Sequence, residues 1–368
     1  PNWFALEGQE REYEYSYGKQ NWFEASGIEC AAVRNEVGFF DGASFAKFRV
    51  KGPDALLALN EISANDVDVP QGKVVYTQWC NQRGGIEADL TVSRIDETEF
   101  LVVTAAASAG RDEAWLRRGC RGLDVQIDDI TNDLTMFGVM GPQSRALLSK
   151  LTSADLSNEA FAFGTHRRLE IAGYDVRALR MTYVGELGWE IYVPWEEAPS
   201  LYAAIFEVGE SHGLKHAGYH AMNTLRLESG YRHWGHDITD QDTPVEAGLS
   251  FAVAWDKPSF SGREAMLAQR EQTRTKRLAQ FRLEDEDRLV YHDEPIYRSG
   301  ELVGRTSSGM WSYVENRCLA MGYLEHSEGV TKDWIDIGDF EIEVATERIP
   351  VTASLRSFYD PRSERVRM

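Results

Sequence analysis

A segment that occurs twice sets the first limit on what this chain folds into. Residues 47–68 read KFRVKGPDALLALNEISANDVD, and residues 136–157 read MFGVMGPQSRALLSKLTSADLS. Aligned, Phe48 meets Phe137, Val50 meets Val139, and Gly52-Pro53 meets Gly141-Pro142. Leu59 then meets Leu148, Ile62 meets Leu151 and Asp66 meets Asp155. Each copy alternates like a strand, breaks at Gly-Pro, and continues with apolar residues at helical spacing. Proline starts a helix well, because the N–H it lacks would have no partner there. Two copies of a strand–turn–helix unit imply two related α+β halves packed together.

Between the copies, 74–77, 88–94 and 100–104 read as strands, with a Gly84-Gly85 turn before the second. Ser108 reads as the N-cap of a helix carrying Asp112 and Glu113 in its first turn and Arg117-Arg118 in its last. After the second copy, strands are expected at 174–183 and 189–193, a helix from about Pro199 to near Gly213, and another over 219–230. The stretch 262–277 reads as a charged linker helix. Beyond it come short strands with turns, at 295–298, 302–306, 318–324, 340–344 and 351–355. That pattern belongs to a small antiparallel barrel or sandwich.

The 368 residues suffice for two or three domains. A net charge of −20 repels phosphate backbones and disfavours nucleic acid, while leaving room for a small anion held by a local arginine cluster. No apolar run reaches the ~20 residues of a membrane helix, so no membrane association is expected. The N-terminus is polar and aromatic rather than signal-like, and its first residue is Pro1, which points to a processed chain or a piece of a longer one. Cys30, Cys80, Cys120 and Cys318 lie far apart without a CxxC pair. They read as buried free thiols in a reducing compartment, cytoplasmic or, in a eukaryote, the mitochondrial matrix.

The chain has no GxGxxG opening a helix after a strand and no GxxxxGK[ST]. A dinucleotide or phosphate-loop site is therefore not expected, which removes flavin and nicotinamide chemistry from this segment. His233 and His236 flank Trp234-Gly235, but one His-x-x-His without a third ligand does not make a metal site. No GxSxG elbow marks a serine hydrolase. Two carboxylates stand out. Asp89 follows the Gly84-Gly85 turn and opens a strand, a rigid place for an acid or base, or else a turn residue facing solvent. Glu190 lies in YVGELGWEIYV among Tyr183, Trp189 and Tyr192, where a buried carboxylate needs a partner and an exposed edge residue does not. Arg226, in AMNTLRLESGY, reads equally as a surface arginine.

At these residues the sequence resembles a known family. VYTQWCNQRGGIEADLTVSRI, MTYVGELGWEIYVP and AGYHAMNTLRLESGYRHWGHDITDQDTPVEAGL resemble the glycine-cleavage aminomethyltransferase (T-protein) family, as do FSGREA and GRTSSGMWSYVENRCLAMGYL. The details THRRLEIAGYDVRALRMTYVGELGWE and GYRHWGHDI are most similar to the C-terminal, folate-binding half of sarcosine and dimethylglycine dehydrogenases. The resemblance covers nearly the whole chain in order. It implies a three-domain α+β cloverleaf with two related α+β domains and a C-terminal antiparallel β-barrel. The corresponding division is a folate-binding domain from 28–50 plus 136–255, a second α+β domain at 51–135, a linker helix at 256–276 and the barrel at 277–368.

The resemblance also implies tetrahydrofolate in a central channel. Asp89 matches the family's catalytic aspartate and Glu190 the position that grips the pterin. Arg226, Tyr76, Trp234 and Tyr183 fall in matching folate-lining stretches, with Trp234 where relatives often carry tyrosine. The physics agrees with these roles. A pterin's amino-pyrimidine edge offers parallel N–H donors that one carboxylate accepts as a pair, and its ring stacks on aromatics. The anionic folate tail would call for Arg226, Arg232 or Arg263. The resulting expectation is an enzyme part that captures the carbon of an N-methyl amine such as sarcosine or dimethylglycine as methylene-tetrahydrofolate. FAD is then expected on a partner subunit or a further N-terminal domain. One alternative is a stand-alone demethylase that yields methyl-tetrahydrofolate. Another is a folate-binding accessory protein without turnover; its iron–sulfur assembly relatives carry a K-G-C-Y motif where this chain has Tyr183-Val184-Gly185-Glu186. A lipoyl carrier is not expected, since such carriers are acidic and so is this chain.

Overall fold

The computed structural model describes residues 1–16 and 18–368. Helix α1 (Phe23–Asn35) leads into strand β1 (Val37–Asp41). Then follow β2 (Ala46–Lys51), α2 (Ala55–Ile62), β3 (Val74–Cys80), β4 (Ile86–Arg94), β5 (Glu99–Thr104), α3 (Ala109–Gly119) and β6 (Gln126–Asp129). The next run is β7 (Leu134–Met140), α4 (Ser144–Leu148), β8 (Thr165–Ile171), β9 (Tyr174–Arg180), β10 (Gly188–Pro194), α5 (Ala198–Gly209), β11 (Leu214–His216) and α6 (Tyr219–Glu228). After α7 (Arg263–Glu271) come β12 (Lys276–Leu283), β13 (Pro295–Arg298), β14 (Glu301–Ser312), β15 (Arg317–Glu325), α8 (Lys332–Asp336), β16 (Phe340–Val344) and β17 (Glu347–Ser354).

These elements form three sheets. One has five strands in the order β3-β4-β5-β2-β6, and one has six in the order β11-β1-β7-β10-β9-β8. The third is a closed antiparallel barrel, β12-β15-β14-β13-β16-β17. The fold is thus α+β with a C-terminal barrel. No helix among the described residues is long and apolar enough to cross a membrane.

The sequence repeat is a structural repeat. Both copies form strand, Gly-Pro turn and helix, as β2–α2 and β7–α4. The turn glycines are locked by the same geometry. Gly52 has φ +147 and Gly141 φ +140, where a Cβ would lie 2.2 Å from the Asp124 carbonyl oxygen and 2.3 Å from that of Glu36. Only glycine tolerates both the dihedral and the approach. The prolines sit one residue before the N-caps Asp54 and Gln143, not inside the first turn.

Each sheet buries one face under its own helices. Helices α2 and α3 cover Phe48, Val50, Trp79, Leu90, Val92 and Phe100. Helices α4 and α5 cover Phe137, Val139, Trp189, Ile191 and Val193. The remaining faces turn toward each other through Leu101 and Val103 of β5, Met136 of β7, Leu179 of β9 and Tyr192 of β10.

Several boundaries differ from the sequence reading. Strand β2 belongs to the five-stranded sheet, so the chain leaves the six-stranded sheet after Asp41 and the first segment does not run to 50. Helix α1 and strands β8 and β12 are additional. The linker helix stops at Glu271, and the strand expected over 174–183 stops at Arg180. Ser108 precedes α3, but its hydroxyl donates to Asp112 (2.7 Å) instead of capping.

One buried ion cluster ties α1, the β9–β10 loop, α6 and the C-terminal segment together. Arg34 donates from Nη1 to Glu186 (2.9 Å) and from Nη2 to Glu228 (2.6 Å), with side-chain exposures of 6%, 0% and 1%. Arg365 closes the cluster by donating to Glu186 (2.7 Å) and to the Arg34 carbonyl (2.8 Å). Glu228 also accepts from Ser312 of the barrel (2.7 Å). Removing one member of such a set leaves a buried charge uncompensated. Arg34→Met is therefore expected to cost about 3–5 kcal/mol of stability, read as a lowered midpoint in urea denaturation; a midpoint within error of the parent would show that the cluster is not what joins these elements.

Candidate functional site

The site begins with a hairpin. Across β3 and β4, Gln78 pairs with Asp89 and Trp79 with Ala88. Trp79, Ala88 and Leu90 are sealed under the helices, so Tyr76, Gln78 and Asp89 fall on the opposite face, where Tyr76 packs against the segment after α6. On that sheet Glu190 pairs with Gly138 and Leu179. Its neighbours Trp189 and Ile191 point into the helix-covered core, leaving Glu190 and Tyr192 on the face that looks back. Asp89 is thus mid-strand, not at the strand end expected from the Gly84-Gly85 turn, because β4 already starts at Ile86.

Tyr76, Asp89, Tyr183 and Glu190 each keep some accessible surface. Yet the surrounding protein desolvates all four strongly. That combination describes a narrow internal space, not an outer surface. Burial pushes the Asp89 carboxyl up to about 6, against the lowering effects of donors on Gln78 and Tyr76 and of the Arg232 charge. Gln78 Nε2 donates to Asp89 Oδ1 at 2.8 Å. Burial also raises Glu190, whose carboxylate accepts from the Tyr192 hydroxyl at 2.7 Å. Such groups are poised for proton exchange nearer neutrality than ordinary carboxylates.

A third wall comes from the loop after α6. Tyr183 donates its hydroxyl to the Arg232 carbonyl (2.8 Å) and stacks on Tyr231 with ring centroids 6.1 Å apart. Tyr76 and Trp234 pack against Ile86, Ile238, Ala247 and Leu249. The Trp234 indole donates to the Ile86 carbonyl (3.0 Å), and Arg111 lies over its ring at 4.3 Å. One face of Trp234 is therefore already taken by a cation. The hairpin and loop approach closely where Gly85 meets Asp240, since a Cβ at Gly85 would stand 2.0 Å from the Asp240 carbonyl oxygen.

Arg226 has a different job from the one expected. It is 1% exposed, and its guanidinium pairs with Asp237 (2.5 Å) and donates to Ser308 of β14 (2.9 Å). Asp237 accepts in turn from Ser307 (2.5 Å) and from the His233 amide (3.0 Å). Arg226 is consumed in fixing the loop to the barrel and is not open to an anionic tail. Arg232 forms no ion pair among the described residues: its Nε and Nη1 go to the carbonyls of Ala247 (3.0 Å) and Gly230 (2.6 Å).

Four contributors escaped the sequence reading: Gln78, Asp237, Arg232 as a charge near Asp89, and Phe251. Phe251 is 74% exposed and stacks on Tyr76 with ring centroids 6.2 Å apart. Its position as an isolated exposed aromatic is visible only in three dimensions. A separate cleft of about 660 Å³ opens between the loop and β14, lined by His236, His292, Asp293 and Arg305 among others. It includes neither Asp89 nor Glu190, and its walls carry no comparable buried carboxylate, so the intersheet space is the stronger candidate. No group of His, Cys, Asp or Glu among the described residues is arranged to hold a metal ion.

Comparison with known proteins agrees with this architecture. The GCVT N-terminal domain family matches residues 1–257, and the glycine cleavage T-protein C-terminal barrel domain family matches residues 276–360. A relative in Paenarthrobacter nicotinovorans, 4-methylaminobutanoate oxidase (formaldehyde-forming), is 41% identical over 367 residues, covering 100% of this chain and 44% of the relative. Mitochondrial sarcosine dehydrogenase of Homo sapiens is 37% identical, covering 92% of this chain and 39% of the relative. This chain therefore spans less than half the length of either. The crystal structure of glycine cleavage system aminomethyltransferase T from Bartonella henselae superimposes with a TM-score of 0.82 at 24% identity, over 97% of this chain and 96% of that one.

The raised Asp89 value carries a stability consequence. Near pH 4 to 6 the folded chain holds a proton that the unfolded chain, with an ordinary aspartate near ~3.9, has lost. Stability is therefore full below about pH 4 and falls as pH rises through about 6, where the buried carboxylate ionises. Asp89→Asn removes that cost. Its thermal midpoint should exceed the parent's near neutral pH by an amount worth about 1–3 kcal/mol, and the two should converge in acid. A pH-independent difference would mean that Asp89 is not the buried carboxylate described.

Proposed function

This chain belongs to the glycine-cleavage T-protein, or aminomethyltransferase, family, and from that premise we propose that it captures the carbon released from an N-methylated amine as methylene-tetrahydrofolate. The observation that carries the reading is Asp89, a carboxylate in a desolvated setting, held by Gln78 and Tyr76 and near the Arg232 charge. A reduced folate's ring nitrogen is a weak nucleophile toward an iminium or formaldehyde. Forming its bond to the one-carbon unit releases the proton that the nitrogen carried. Asp89 is suited to orient that N–H, accept the proton and steady the cation in between, a contribution of roughly 10²–10⁴ in rate.

Glu190 has an oxygen pinned by Tyr192 and a carboxylate edge left for a pair of N–H donors, the pattern that a pterin's amino-pyrimidine offers. The fit is supported by Ser93 Oγ, a polar atom buried on β4 that finds no partner. Tyr76, Tyr183 and Phe251 supply aromatic surface for flat rings. The family relatives whose names describe amine oxidation are more than twice as long as this chain. In this reading the oxidation itself, with FAD, belongs to a partner subunit or a further domain, and the folded part described above receives its product.

The test separates binding from chemistry. Asp89→Asn keeps shape and hydrogen bonding while removing basicity. Folate affinity should change little, while capture of formaldehyde by tetrahydrofolate, followed directly and corrected for the spontaneous reaction, falls by ~10² or more. Parent activity should rise with pH through about 6, as the Asp89 carboxylate forms. Glu190→Gln should instead weaken folate binding by ~1–3 kcal/mol, because pterin donors lose a matched acceptor. Unimpaired capture by Asp89→Asn would make the chain a binding module, and methyl- instead of methylene-tetrahydrofolate would make it a methyl transferase.

A further inference from the structure

We propose that Gln78 is a positioning residue for Asp89, whose side-chain amide holds one carboxylate oxygen and so fixes the orientation of the acid. The inference rests on the reading of Asp89 given above. Gln78 and Asp89 are direct cross-strand partners in β3 and β4, and the amide donates to Oδ1 at 2.8 Å. Gln78 is 0% exposed, and its own carbonyl oxygen Oε1 is buried without a hydrogen-bond partner.

That orphaned oxygen argues for function. A slot needing only to be filled would take leucine or methionine, which bury no unpaired acceptor. Keeping an amide here costs stability, and what it supplies in return is the N–H on Asp89. The orientation is also unique. Turning the amide over would set carbonyl oxygen against carboxylate oxygen, two acceptors in contact. So the charge on Asp89 fixes Gln78, and Gln78 fixes which carboxylate oxygen it occupies.

The other titratable groups near enough to influence Asp89 are Tyr76 and Cys80 from β3, Asp112 from α3, Tyr183 from the β9–β10 loop and Arg232 from the loop after α6. Among the hydrogen-bonding and charged groups that favour the Asp89 carboxylate, Gln78 contributes the largest share, ahead of Tyr76 and Arg232. Removing its N–H therefore makes the carboxyl easier to protonate, and the group must meet a higher pH before it ionises.

Gln78→Met conserves size and removes the donor; Gln78→Leu serves the same comparison should the thioether fold poorly. The full chain is labelled with carboxyl ¹³C aspartate, and the Asp89 resonance, identified by its loss in Asp89→Asn, is titrated. Its midpoint is expected to rise by about half a pH unit or more in the variant. The acid limb of folate-dependent capture should move by the same amount, while folate affinity stays within about twofold and the thermal midpoint is equal or higher. A purely structural role would leave the titration midpoint unmoved, and that result overturns the proposal. If Asp89→Asn is fully active, the reading of the reaction fails instead, while the carbon titration still decides whether Gln78 governs Asp89.

Discussion

Arg34 between Glu186 and Glu228 is the contact on which the rest of the molecule depends. Two arginines and two glutamates meet where α1, the β9–β10 loop, α6 and the C-terminal segment converge, and the cluster is electrically neutral as a set. A neutral set loses less on burial than its separate ions, and its hydrogen bonds are satisfied by Tyr359 and Ser312 as well. Because Glu228 closes α6 and also reaches barrel strand β14, the cluster sets the helix from which Arg226 and the following loop project. Arg226 repeats the device two residues earlier on the same helix, with Asp237 and two barrel serines. The loop that walls the site is thereby held by buried charge at its base.

The space between the two sheets follows from how each is covered. Helices take one face of each sheet, so the uncovered faces can only meet each other. Apolar contact is made by Leu101, Val103, Met136, Leu179 and Tyr192, and the polar residues of β3, β4 and β10 lie beyond it. Asp89 and Glu190 are in a low-dielectric setting without a salt-bridge partner among the described residues, which is why both are harder to ionise than usual. Stability is given up at this place, in contrast to the compensated ions around Arg34.

Much of the fold was readable in the sequence, and the omissions have local causes. The Gly-Pro repeat was legible because Gly52 and Gly141 answer to the same backbone demand. Barrel strands β13 to β17 were legible from their turns. Strand β8, THRRLEI, was missed because it edges its sheet and alternates charged residues toward solvent. Helix α1, FEASGIECAAVRN, was missed because small and polar residues interrupt any single apolar stripe, and it buries Glu29 and Arg34 among its neighbours. For the site, Asp89 and Glu190 were marked by their surroundings in the chain and by family resemblance. Gln78 was not, since an amide in a strand carries no signal until its cross-strand partner is known. Arg226 was misread for a related reason: the acid that neutralises it stands across a loop, and nothing in the helix sequence shows it.

The path of the chain between the sheets has a consequence for how the molecule comes to exist. Strand β1 is laid down first, but its antiparallel neighbour β7 arrives only after the entire five-stranded sheet, and its parallel neighbour β11 later still. The five-stranded sheet is one unbroken stretch from β2 to β6 and contains all its own pairings. As the chain emerges from a ribosome, that inserted sheet can close by itself, while β1 must wait with both edges bare. Long-range pairing of this kind is slow and leaves an adhesive strand exposed in the interval. In a nascent chain of this topology the aggregation hazard sits at β1, and the span from β2 to β6 sets how long that hazard lasts.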